Sequence, residues 1–105
     1  HFDAPVILAL GASAEQGWVR PSDQRNFADV DAGIAGTHVL LAVHDLGLGA
    51  TWVGHFDAPR LKEALPQLAG YDLIALFPIG YPAPDARPAA AHRARKPLDE
   101  LVVEL

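Results

Sequence analysis

Apolar residues fall into blocks along this chain, and the spacing inside each block predicts its element. Residues 5–12 are apolar almost throughout and end at Gly11 and small side chains, the pattern of a short buried strand. The stretch SAEQGWVRPSDQRNFADVD is polar, holds Gly17 and Pro21 and keeps no steady period. It reads as a loop, with Trp18 covering something beneath it. From Phe27 or Asp29 to Leu46 the period is helical, with Asp29 or Asp31 able to cap the start and Gly47 supplying the stop. This helix carries Ile34, Val39, Leu40, Leu41, Val43 and Leu46 among alanines, so it is apolar nearly all round, the mark of a buried helix. Gly33 and Gly36 would let a second helix come close, which predicts a helical layer at the centre of the fold or of a dimer. Next, GATWVG reads as a short strand, and PRLKEAL as a helix with Asp57 at its N-cap and Pro59 in its first turn. Residues 71–81, YDLIALFPIGY, form the clearest strand. The prolines of residues 82–97 forbid regular structure and predict a surface arm. LDELVVEL stays open between a short helix, a strand and an arm ordered by a partner. HFDAP occurs at residues 1–5 and 55–59, but VILAL follows one copy and RLKEA the other, so there is no repeat.

Composition narrows the class. A chain of 105 residues, 50% of them apolar, suffices for one domain with a modest core. Its net charge of -5 argues against nucleic-acid partners, because phosphate contacts need clustered Lys and Arg. The one basic cluster is HRARK, residues 92–96. No apolar run approaches the roughly 18 to 20 residues that span a bilayer, and nothing reads as a signal peptide, so a cytoplasmic address is the default. Without cysteine there are no disulfides, zinc thiolates or thiol nucleophiles. The chain also lacks methionine and opens on His-Phe just before an apolar strand. The expectation is that something precedes His1 in the parent protein and helps to cover the apolar helix.

Four motifs in order carry a resemblance. They are D-x-G-I-A-x-x-x-x-L-L-A-x-H-D-L-G-L-G-A-T-W-V-G, F-D-x-x-x-L-K-E-x-L, I-A-L-F-P-I-G-Y-P and R-x-R-K-P-L-D-E-L. Together they resemble the C-terminal part of the nitroreductase family of FMN-dependent oxidoreductases, from about Asp3 to Leu101. The resemblance implies an α+β fold, a mixed, mostly antiparallel sheet flanked by helices, with residues 1–105 forming the C-terminal portion of a single, incomplete domain. It also implies a homodimer with FMN between subunits. NAD(P)H would deliver hydride to flavin N5, and a nitroaromatic, quinone or similar small acceptor would take the electrons.

The same resemblance assigns site residues. Trp52, Val53, Gly54 and His55 would line the isoalloxazine, with main-chain N–H groups directed at N5 and O4 and no side chain at Gly54 to hold the ring away. Read without it, Trp52 is a core aromatic and Gly54 a turn residue. Arg95 would meet the FMN phosphate with its planar fork, and Arg93 would join it if the segment is extended, since residues i and i+2 then share a face. The plain alternative is a solvated basic patch. His38 and His44 are six apart on the helix and have no partner for a metal site. His55 is a possible acceptor contact, and no residue is assigned as a general acid or base. Tyr81 reads as structural, and Asp99, Glu100 and Glu104 as a solvated face. The family's N-terminal Arg-Arg-Ser-x-Arg cluster has no counterpart in this sequence, so these residues make about half of an FMN site. Two other outcomes stay open. One is a degenerate flavin-fold binding or dimerisation module; the other is a specialised relative, a reductive dehalogenase or an FMN-consuming enzyme.

Overall fold

A computed structural model describes residues 3–104. His1 and Phe2 of the first HFDAP copy and the final Leu105 of LDELVVEL lie outside the described residues. Three strands, β1 (Val6–Ala12), β2 (Gly49–Ala50) and β3 (Asp72–Gly80), form one antiparallel sheet in the order β1-β3-β2. The central strand β3 reads DLIALFPIG, a nearly continuous apolar run, because both of its faces receive cover. Ala75 and Phe77 on it are fully buried. Between Leu10 and Gly11 the β1–β3 register slips by one residue and leaves Ile74 as a bulge. The bulge turns Ile74 toward the small cluster of Ala12, Ala28 and Ala32.

Helix α1 (Ala28–Asp45) lies across one face of this sheet. Neither Asp29 nor Asp31 caps it. Both sit inside the first turn, and Asn26 accepts a bond from the Ala28 N–H at 2.9 Å. Asn26 also donates to the Ala14 carbonyl at 2.7 Å, so one side chain closes the loop and starts the helix. The predicted loop is ordered as a narrow excursion in which Val19 pairs with Asn26. At the far end Gly47 takes a φ of +72°, and the N–H groups of Gly47 and Leu48 return to the carbonyls of His44 and Val43. This is the left-handed glycine stop that the sequence predicts.

The expectation of a buried helix needs correction. Only the stripe of Ala28, Ala32, Gly36 and Val43 is buried, while Ile34 and Leu41 on the opposite side are 53% and 63% exposed. Gly36 does permit close approach, but of the sheet and not of a helix. A Cβ there would stand 2.6 Å from Trp52 Cζ3 and 2.8 Å from Leu10 Cδ2, whereas one at Gly33 would meet nothing.

Helix α2 (Ala58–Ala64) begins as expected, with Asp57 accepting from the Arg60 N–H at 3.0 Å and a proline in the first turn. Its Leu61 and Ala64 share an apolar hollow with Leu76, on the sheet face away from α1. The proline-rich arm is less irregular than its composition predicts, since it contains a 3₁₀ turn at Ala90–Arg93, and a second follows it at Leu98–Glu100. LDELVVEL therefore begins as the second of these turns, and no strand follows it among the described residues. No helix among the described residues is long and apolar enough to cross a membrane.

Candidate functional site

The stretch after α1 runs along β3 for longer than the two residues of β2 suggest. Gly49 pairs with Gly80 and Ala50 with Ile79, and Val53 pairs with Leu76 in the same register. Thr51 then stands opposite Pro78, which has no N–H to give, and the ladder lapses there. It resumes at Val53, whose N–H and carbonyl bond to Leu76 at 3.0 and 2.9 Å. Val53 therefore pins the segment to the sheet and has no main-chain donor left for a ligand.

Backbone groups alternate along a strand, so the N–H groups of Trp52 and Gly54 point the other way, out from the sheet edge. The Trp52 side chain does not follow them. It lies opposite Phe77, with ring centroids 5.1 Å apart at 64°, and reaches under α1 at Gly36. The indole thus packs on one side against Phe77 and α1 while the residue stays 40% exposed. Beside it, a Cβ on Gly54 would have no neighbour closer than Trp52 Nε1 at 4.0 Å. His55 is exposed.

An open hollow of about 520 Å³ lies at this edge, between the last turns of α1 and the arm. Trp52, Thr51, His44, His92 and Arg95 border it. Of the six residues singled out from the sequence, Trp52 and Arg95 meet here, while Val53, Gly54, His55 and Arg93 are not on its lining. Arg93 ends the 3₁₀ turn Ala90–Arg93 and is not on the lining, although the backbone becomes extended at Ala94, between it and Arg95. Arg95 donates through Nη1 to the carbonyls of Ala91 and Ala94, at 3.0 and 2.9 Å.

The sequence reading did not assign His44 or His92 to the site. The signal for His44 was its place in the last turn before Gly47, where the chain doubles back past it. His92 sat in view within HRARK, but only a turn brings it to the hollow. Resolved shifts of acidity lie elsewhere. Asp23 is held below the usual carboxylate range by its hydrogen bond from Arg20, which is itself pushed up by the same contact, in the exposed loop before α1.

A family model described as the nitroreductase family matches residues 1–81. The chain belongs to the nitroreductase family. It is 37% identical over 90 residues to a putative NADH dehydrogenase/NAD(P)H nitroreductase of Methanothermobacter thermautotrophicus, a match that takes in 77% of this chain and 42% of that one. A solved structure of a nitroreductase family protein from Clostridium difficile superposes with a TM-score of 0.81 at 27% identity, over 97% of this chain and 60% of the other. Another from Clostridium novyi gives 0.68 at 26% identity, over 93% and 49%. The fold is the α+β fold of nitroreductases, and the chain spans about half the length of the relatives it matches.

Proposed function

We propose that this nitroreductase chain forms one wall of an FMN site in an NAD(P)H-dependent oxidoreductase. The acceptor would be a nitroaromatic, a quinone or a similar small molecule. The observation that carries this reading is the free outer edge at Trp52 and Gly54. The main-chain N–H groups on either side of the Val53–Leu76 pair are left outside it, Trp52 borders the hollow, and the space before Gly54 is left open by every side chain except Trp52. A flat heteroaromatic with acceptor atoms along one edge fits such a wall, because its oxygens and nitrogens would take both bonds without a side chain intervening.

FMN would supply the two-electron relay between nicotinamide and acceptor, with hydride passing through flavin N5. The chain's own residues hold and orient. Trp52 and Gly54 offer donors that are fixed before any ligand arrives, since the strand is pinned at Val53 and the indole is packed under α1. Arg95 supplies positive charge for the phosphate end, and the exposed His55 imidazole is assigned to the acceptor side. The name of the Methanothermobacter relative supports nicotinamide nucleotide as donor. The outer stripe of α1 supports a second copy as partner, and a cytoplasmic setting accords with NAD(P)H supply. The expected result is a protein that purifies yellow and loses its flavin absorbance when NADH or NADPH is added. A colourless protein that stays colourless after incubation with FMN would sink the proposal.

A further inference from the structure

We infer that the Trp52 indole N–H is a side-chain donor to the ring of the ligand that lies over Gly54. This inference rests on the site reading above and adds to it one bond, made by a side chain. Residues two apart in an extended segment share a face, so the indole and the empty position at Gly54 stand side by side. The contacts agree. A Cβ on Gly54 would have Trp52 Nε1 at 4.0 Å, and beyond its adjacent residues nothing else comes within that distance. The nitrogen edge of the indole therefore borders the space that the glycine leaves open.

The other end of the ring is fixed. Cζ3 and Cη2 pack against Gly36 of α1, where an added Cβ would stand 2.6 and 3.0 Å from them, and the ring meets Phe77 at 5.1 Å between centroids. An indole held by its six-membered ring keeps its five-membered ring, and with it the N–H, on the side of Gly54. Among the described residues no hydrogen bond reaches that N–H, and the residue is 40% exposed. An indole nitrogen only donates, so its partner has to be an acceptor. The flat ligand proposed for this wall carries such atoms, ring nitrogens and carbonyl oxygens, along its edge. A donor already in place when the ligand arrives makes its bond at little cost in ordering. Reduction of a flavin adds electron density to the ring, so the same donor holds the reduced form more tightly than the oxidised one. A methyl at position 54 would stand in the shared space, so the bond needs both residues.

The chain has two tryptophans, Trp18 and Trp52, so isotope-labelled protein shows two indole N–H signals by NMR, and Trp18→Phe assigns them. On titration with FMN, and with riboflavin, which carries the same ring without the phosphate, the Trp52 signal is expected to move downfield and its exchange with water to slow. A Trp52 N–H that exchanges as fast under saturating flavin as without it would overturn the inference and leave the site reading standing. Trp52→Phe keeps a ring against Phe77 and removes the donor. It should weaken FMN and riboflavin alike by about threefold to tenfold, the range of one neutral hydrogen bond, and move the potential of the bound flavin to more negative values. Unchanged affinity for both flavins, or an unmoved potential, would count as refutation. A wild type that binds neither flavin would remove the site reading and this inference with it.

Discussion

Two glycines of one helix predict opposite outcomes for the same substitution. Replacing glycine by alanine inside a helix gains about 0.5 to 1 kcal/mol from backbone entropy. At Gly33 nothing opposes that gain, because the new methyl meets open space, so Gly33→Ala should stabilise the chain by about that amount. At Gly36 the methyl would press on Trp52 and Leu10 at distances real Cβ atoms do not show. The indole cannot retreat freely, since it is set edge-on against the fully buried Phe77. Overpacking of this kind costs about 1 to 3 kcal/mol and outweighs the helix gain, so Gly36→Ala should lower stability by about 1 kcal/mol. Urea denaturation of the two variants checks both signs. Gly54→Ala provides the functional counterpart. Its methyl has room, so stability should stay within about 0.5 kcal/mol, while the proposed placing of a flavin against Gly54 predicts that FMN affinity falls. Asp57 was legible in the sequence because a cap is settled within four residues. Gly36 was misread because its neighbours are brought to it by the sheet, and nothing adjacent in the sequence names them.

Elements with their own periodicity could be read directly. β1, α1, α2 and β3 all stand where their patterns predict, and the Gly47 stop is a local event. The run after α1 was read as one strand, yet its ladder is broken by Pro78, a residue on a different strand. The turn in the arm was missed because prolines on either side mask a short stretch, AAHR, that is free of them. The start of α1 shows the same dependence, since Asn26 is a cap by virtue of the loop it also closes. Asn26→Ala should therefore cost about 1 to 2 kcal/mol, more than an ordinary helix cap in a peptide. Amide exchange should quicken at residues 14–28 first, and equal quickening along all of α1 would argue against the double role. A second tie in this loop depends on pH. Asp23 is held below its ordinary value of 3.8 by Arg20, so its contribution is complete above that value and fades as pH falls through the lowered one. Loop protection should thus be flat from neutral pH to about 4 and drop only below it; a drop near pH 6 would point to another group.

At the scale of the whole molecule the chain exposes too much surface for its mass. Its accessible area is 8528 Å², against about 5,700 Å² for a typical folded monomer of 11.2 kDa. Its radius of gyration, 16.6 Å, likewise exceeds the roughly 13 Å of a compact domain of this size. Among the described residues the buried hydrophobic ones are few, and four of the six are alanine. The excess on one chain, near 3,000 Å², is more than the roughly 1,000 to 2,500 Å² that each partner typically buries in an obligate subunit interface. Part of the exposed apolar surface lies along the outer side of α1, where Val30, Ile34 and Leu41 follow one another at helical spacing. Under the proposed homodimer, a second copy laid along this stripe would remove it from water at about 25 cal/mol per Å² of apolar area, before the cost of association is met. Light scattering should then give twice the chain mass for wild type. Ile34→Glu and Leu41→Glu would place an unpaired carboxylate in that contact and shift the protein to monomer. Because both side chains are exposed within one chain, the helical circular dichroism of α1 should survive the change. A wild type that is monomeric at every accessible concentration, or variants that remain dimeric, would show that this face meets something other than its own copy.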